Sequence, residues 1–328
     1  MKRKIWIFCV LLLLFGCAQQ EEVPESVMET VPVAVSTEPA VTAPPAVASE
    51  AVALAEAPPP PVSVVLEPQP SGEKEERCDD AVIDYSHAED GYIMARYTGQ
   101  TDKRLKFRVH GPTTTYTYNL PLDTWTAFPL SDGNGSYQAA LYINTQDSKY
   151  ALVMTVQFEV TLQDEFAPFL RPNQYVDYVD AVNTVEKGAQ LCAGLEHPLE
   201  KVAAVYDYVV GTLSYDYDRA ATVKSGYLPV LDQVLAEKKG ICFDYAALMA
   251  AMLRAQEVPC KLVVGYAGST YHAWISVWTE EDGWIDGAIF FDGHMWKRMD
   301  PTFASSQHRS EEIMDFIEHG NYTVKYLY

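Results

Sequence analysis

The stretch from Gly240 to Pro259 is punctuated so tightly that a short helix is the only regular structure it can hold. Gly240-Ile241-Cys242-Phe243-Asp244 breaks a preceding helical run, and from Tyr245 the apolar residues Tyr245, Leu248, Met249 and Met252 recur at helical spacing until Glu257-Val258-Pro259 stops them. After Pro259, Lys261 to Gly265 reads as a strand, Ala267-Gly268-Ser269-Thr270 as a turn, and His272 to Trp278 as a second strand whose alternation separates His272, Trp274, Ser276 and Trp278 from Ala273, Ile275 and Val277. Asp282-Gly283-Trp284 turns into another strand, and Trp296 to Asp300 forms a last one that Pro301 terminates. Three adjacent strands, or a helix facing a sheet, would bring Cys242, His272 and Asp300 together.

Cys242 is placed at a helix N-terminus, where unpaired backbone N–H groups and the positive end of the dipole favour negative charge on sulfur. The same amides can stabilise an oxyanion. A thiol nucleophile needs a base held in one orientation, and the chain supplies a histidine and then an aspartate in that order. Each has a plainer reading. A cysteine in a helix is commonly a small buried hydrophobe, and Asp-Pro commonly caps a turn. His294, His308 and His319 are rival bases, but His272 opens an alternating strand after a Gly-containing turn and the others do not. Asp244, in the first turn, is read as structural, its charge complementing the dipole.

Gly240-Ile241-Cys242-Phe243-Asp244-Tyr245-Ala246-Ala247-Leu248, Leu253-Arg254-Ala255, Tyr271-His272-Ala273-Trp274 and Met299-Asp300-Pro301-Thr302 together resemble the core of the transglutaminase-like superfamily, over about residues 195–305. The resemblance implies a papain-like α+β fold with Cys242 as nucleophile, His272 as general base and acid, and Asp300 orienting the imidazole. It also implies a second oxyanion donor from an upstream side chain: Tyr215 is the leading candidate, ahead of Tyr217, Tyr227 and Gln233. Members of the superfamily include crosslinkers, peptidases, amidases and forms without catalysis, so the motif fixes the chemistry better than the substrate. The expected reaction is attack on a peptide, protein or cell-wall amide through a thioester, with hydrolysis favoured over crosslinking because water is the default acceptor. The alternative is a non-catalytic envelope-binding or scaffold lipoprotein with an idle triad. No cofactor is called for, and no His/Cys cluster has metal spacing.

Met1-Lys2-Arg3-Lys4 followed by an apolar run to Phe15 and by Leu14-Phe15-Gly16-Cys17 resembles a bacterial lipoprotein signal, with Cys17 the lipidated residue that anchors the mature chain to the cell membrane, outside the cytoplasm. Residues 18–77 are rich in Pro, Ala, Val and Glu and are expected to be a disordered tether. The chain carries a formal charge of −21. A balance this acidic argues against nucleic acid as a partner and against electrostatic adhesion to anionic lipid.

Residues 78–165 are expected to form a small β-sandwich, because Leu105, Phe107 and Val109, then Tyr116, Tyr118 and Leu120, then Tyr137 to Ile143 and Met154 to Leu162, alternate. Ser131-Asp132-Gly133-Asn134-Gly135 reads as a hairpin turn, with a calcium loop the remoter idea. Residues 166–328 are assigned to the transglutaminase-like domain, with an amphipathic helix after His197-Pro198, another over 230–238, a charged helical tail after Phe303 and a closing strand in Tyr322 to Tyr328. Cys260 is expected to be buried, and Cys78 and Cys192 are candidates for a disulfide.

Overall fold

The structure is a computed structural model that describes residues 62–267, 270–286, 289–291, 296–298 and 322–328; the leader with Cys17, the tether as far as residue 61, the segment expected to form a helical tail after Phe303, and Asp300 lie outside them. Eight strands come first: β1 (Glu75–Arg77), β2 (Ala81–Asp84), β3 (Tyr92–Tyr97), β4 (Leu105–His110), β5 (Thr115–Leu120), β6 (Thr126–Pro129), β7 (Gly135–Gln146) and β8 (Lys149–Val160). They make two antiparallel sheets in the orders β1-β2-β3-β6 and β5-β4-β7-β8. The alternation of β4 is kept, with Leu105, Phe107 and Val109 buried and Lys106, Arg108 and His110 turned outward. Phe107 and Phe128 stack across the two layers with ring centroids 4.2 Å apart, which fixes the sandwich core.

The turn at Ser131 to Gly135 does not join a hairpin. Its two flanking strands belong to different sheets, β6 pairing with β3 and β7 with β4 and β8. Asp132 there accepts from the backbone N–H groups of Thr113 and Thr114 at 2.6 and 2.8 Å and from the Thr113 hydroxyl at 2.6 Å, so its carboxylate ties down a neighbouring loop.

Residues 62–77 belong to the folded unit. Val64 N–H donates to Ala255 O at 2.9 Å, Gln256 Nε2 donates to the Ser63 hydroxyl at 2.9 Å, and Gly72 N–H donates to Asp84 Oδ2 at 2.7 Å before the chain enters β1. Composition read this stretch as solvated, whereas the strap is held by partners distant in sequence.

The second half supplies α1 (Val182–Cys192), α2 (Pro198–Thr212), β9 (Ser214–Tyr215), α3 (Tyr217–Thr222), α4 (Leu231–Glu237), β10 (Lys239–Gly240), α5 (Cys242–Arg254), β11 (Cys260–Ala267), β12 (Thr270–Thr279), β13 (Gly283–Asp286), β14 (Ile289–Phe291), β15 (Trp296–Arg298) and β16 (Tyr322–Leu327). Helix α2 starts at Pro198, with His197 accepting from Leu199 N–H. The main sheet is antiparallel in the order β13-β12-β11-β16, and β16 is the expected closing strand. Helix α5 is buried on every side; Leu248, Met249, Met252 and Leu253 have no exposed surface, and burial of each contributes about 1.5–3 kcal/mol. Arg254, also buried, spends its guanidinium on three carbonyls: Cys260 O at 2.9 Å, Arg171 O at 2.8 Å and Tyr328 O at 2.6 Å. It pins the end of α5 to the start of β11 and to the residue after β16.

Cys78 and Cys192 are both free thiols, which removes the expected disulfide. Cys192 points into the core from α1, where burial pushes its pKa up to about 11, while Cys78 lies exposed beside the Met154 sulfur of β8. Cys260 is buried as expected, its thiol pushed up to about 12 by desolvation.

Candidate active site

The approach to Cys242 is built from two short parallel strands. Lys238 ends α4 in the left-handed conformation (φ 52°), β10 then pairs with β9 so that Gly240 lies against Tyr215, and Asp216 N–H donates to Gly240 O at 2.9 Å. A side chain on Gly240 would place Cβ 2.6 Å from Asp244 Cβ, so only glycine fits the turn into the helix. Ile241 is extended and Cys242 is the first helical residue, half-buried and free. Its own amide and those of the first turn have no intrahelical acceptor, so they are donors an oxyanion could use.

Asp244 holds this turn together. Its side chain has no exposed surface, and its carboxylate accepts from Ile241 N–H at 2.8 Å and from the Tyr227 hydroxyl at 2.6 Å, with the Arg219 guanidinium 3.5 Å away. Isoleucine has no side-chain acceptor, so this is one arm of a capping box only. Burial raises the Asp244 pKa against the opposing pull of Tyr227, Ile241 and Arg219. The Tyr227 phenol is raised as well, first by burial and then by donating to that carboxylate. Arg219 extends the network to Asp216 and Glu237, and Lys239 reaches Asp216 at 3.1 Å. Asp244 is therefore structural, as expected. Sequence reasoning missed Arg219 and gave Tyr227 a different role, because nothing local marks either as a partner of Asp244.

His272 lies in β12 opposite Gly265 of β11, is 5% exposed, and sits with its ring 6.4 Å from that of Trp274. Since Arg254 fixes the C-terminal end of α5 to Cys260, which pairs with Val277, the Cys242 end of the helix lies toward the start of β12. Tyr271 is consistent with this direction: its phenol is raised chiefly by burial, and Cys242 is among the groups whose charge it feels. Alternation gives Tyr271, Ala273, Ile275 and Val277 one side of the strand and His272, Trp274 and Ser276 the other. The structure thus brings Cys242 and the Tyr271–His272 pair to the same end of the helix-on-sheet unit. Asp300 and the rival bases His294, His308 and His319 lie outside the described residues.

Tyr215 is two residues from the nucleophile through the β9–β10 pairing, partly buried and packed edge-on to Tyr217 at 4.9 Å. The other candidates are engaged elsewhere: Tyr217 is 60% exposed, Tyr227 is bonded to Asp244, and Gln233 is exposed on α4 with its amide on Glu237. Beneath the start of α5 runs an aromatic floor that sequence patterning did not single out. Tyr175 stacks on Tyr328 at 3.9 Å and lies tilted against Phe243 at 5.6 Å, and Tyr118 of the sandwich meets Tyr328 edge-on at 5.9 Å.

Residues 186–287 match the family model of the transglutaminase-like superfamily. A protein-glutamine gamma-glutamyltransferase of Pseudomonas aeruginosa (strain PAO1) is 28% identical over 98 residues, 26% of this chain and 13% of that protein. The uncharacterized YebA protein of Bacillus subtilis (strain 168) is 27% identical over 110 residues, 27% of this chain and 15% of its own. The chain therefore spans only a small part of the curated relatives it matches. Among solved structures, red sea bream transglutaminase superposes with a TM-score of 0.27 at 12% identity, covering 71% of this chain and 56% of that one, a likeness too loose to bear on function. The matched segment is the one that holds Cys242 and His272. Residues 186–287 are thus the part of the chain that is similar to the transglutaminase-like superfamily.

Proposed function

We propose that the chain is an extracytoplasmic, lipid-tethered cysteine enzyme that attacks an amide carbonyl of a peptide, protein or cell-wall substrate with Cys242. His272 takes the thiol proton and returns it to the leaving amine, Asp300 orients the imidazole, and the first-turn amides of α5, with Tyr215, receive the oxyanion. The acyl group rests on sulfur as a thioester and passes to water or to an amine. The observation that carries this reading is the position of Cys242 as first residue of a buried helix whose N-terminal end meets the start of the strand bearing His272. Water is the favoured acceptor, a reading supported by Cys242 being only half-buried and Tyr271 beside it 55% exposed. The lipid anchor at Cys17 rests on the leader sequence.

The test is incubation of the protein and its Cys242→Ala variant with a peptide library and a primary-amine probe, read by mass spectrometry. Peptide cleavage that vanishes in Cys242→Ala supports the hydrolase. Amine incorporation at glutamine would make it a crosslinker, and turnover retained by Cys242→Ala would overturn the mechanism.

A further inference from the structure

The outward face of β4 is basic in an acidic protein. Lys106 and Arg108 alternate with buried core residues along the strand, and Arg104 precedes them at the same spacing. Their cross-strand neighbours on this face are neutral: Lys106 pairs with Asn119 and Tyr142, and Arg108 with Thr117 and Ala140. Among the described residues Arg104, Lys106 and Arg108 form no ion pair, as the ion pairs of the acidic surface lie at other cations such as Lys74, Arg96 and Arg219. The Arg108 guanidinium lies 5.9 Å above the Tyr142 ring, and its Nε is buried without a hydrogen-bond acceptor. Lys106, Arg108, Thr117, Tyr142, Ser148 and Tyr150 line a cavity of about 350 Å³. A buried guanidinium N–H with no acceptor, beside a concave basic surface, has the chemistry that recognises an anion.

The surface leads toward the nucleophile. Lys106 Nζ donates to Asn119 Oδ1 at 2.5 Å, and a Cβ on Gly226 would lie 2.7 Å from Asn119 Nδ2, so the loop between α3 and α4 rests on this end of the face. The next residue, Tyr227, bonds Asp244 at the start of α5.

We propose that the β4 face docks an acidic, extended polypeptide segment of the substrate, flanking the amide presented to Cys242. The inference rests on the reading that Cys242 acts on polypeptide amides. Cations two residues apart on a strand repeat every ~6.6–6.8 Å, and alternate side chains of an extended peptide have the same repeat, so acidic residues at alternate positions fall in register with Arg104, Lys106 and Arg108. Complementary charge on a partly desolvated face then sets both affinity and orientation.

The experiment uses the full chain carrying Cys242→Ala, so that binding is read without turnover, and a fluorescein-labelled peptide of alternating Glu and Ser followed by anisotropy. Binding is expected to weaken about tenfold in the Lys106→Ser/Arg108→Ser double variant, to fall with added salt, and to be unchanged in Lys74→Ser. A peptide of alternating Lys and Ser should not bind, which tests the charge preference independently of whether the double variant folds. Equal binding by the double variant, or tighter binding of polygalacturonate or polyuridylate than of the acidic peptide, would overturn the proposal. Acidic-peptide binding that depends on Lys106 and Arg108 in a protein that turns nothing over sustains the docking face while removing the enzymatic reading.

Discussion

Truncating Asp244 to alanine should damage the protein more than any other single change at the start of α5. The carboxylate is fully buried and serves three donors at once: Ile241 N–H, the Tyr227 hydroxyl and the Arg219 guanidinium. Each buried donor left without an acceptor costs about 1–3 kcal/mol. Part is returned because the variant no longer desolvates a carboxylate, so the net loss expected for breaking the buried pair is about 3–5 kcal/mol. Asp244→Asn keeps the shape and one acceptor oxygen for Ile241, and the Tyr227 hydroxyl can turn to accept from the new amide; its cost should be only about 1 kcal/mol. Urea unfolding followed by tryptophan fluorescence gives both numbers. The alkylation rate of Cys242 by iodoacetamide then reports whether the turn before the sulfur has lost its geometry, and it should change in Asp244→Ala well below the unfolding midpoint. If Asp244→Ala unfolds within about 0.5 kcal/mol of the parent, or if Asp244→Asn is as harmful as Asp244→Ala, the carboxylate is not what holds the turn.

Asp232 of α4 caps α1 from outside, accepting from the backbone and side chain of both Asn183 and Thr184; although partial burial works against it, these bonds hold its carboxyl below the usual range. A depressed carboxyl contributes stability that is present above its unfolded pKa and is lost as pH falls through the folded one, so the gap in melting temperature between the parent and Asp232→Ala should narrow as pH is lowered through the acid range. Gly265→Ala would drive a Cβ into Thr323 O and to 2.9 Å from the Trp274 ring, so β16 must shift at its bulge; hydrogen exchange should accelerate at the β11–β16 pairing while the sandwich stays protected. Lys238→Gly relieves a left-handed residue at the end of α4 and should raise stability by up to about 1 kcal/mol in the same urea assay. Arg254→Met strands three carbonyls and should cost about 2–4 kcal/mol, read as a lower urea midpoint.

Helix α5 was legible because its limits are local: a glycine that nothing larger can replace, and Pro259 after the run. Strands β4, β5, β7 and β8 were legible for the same reason, since alternation is a property of each segment alone. Partner choice is not. The chain at Ser131 to Gly135 carries every mark of a hairpin, yet β6 finds β3 and β7 finds β4 and β8, and no residue in the turn encodes that decision. Residues 63–77 were misread because their backbone bonds go to Asp84, Ser86 and Ala255, which composition cannot see. At the candidate site, Cys242, His272 and Tyr215 are candidates that motif and order suggest, whereas the contacts of Arg219, Tyr227 and Tyr271 depend on neighbours brought in by the fold.

Strand β16 has a consequence for how the molecule comes into being. It supplies an outer strand of the sheet against β11, and Tyr328 lies on Tyr175 under the start of α5 with its backbone bonded to Leu262 and Arg254. During synthesis the sandwich, α5 and β12 emerge well before these residues. Until residues 322–328 arrive, the edge of β11 and the faces of Tyr118 and Tyr175 stay uncovered, and the support for the nucleophile's helix is incomplete. Such long-range closure is deferred until the last strand is made, and non-local pairing is the slower kind to form. It also leaves a truncated or stalled nascent chain with the cysteine in place and no finished floor beneath it, so reactivity is deferred until the polypeptide has been made as far as Tyr328.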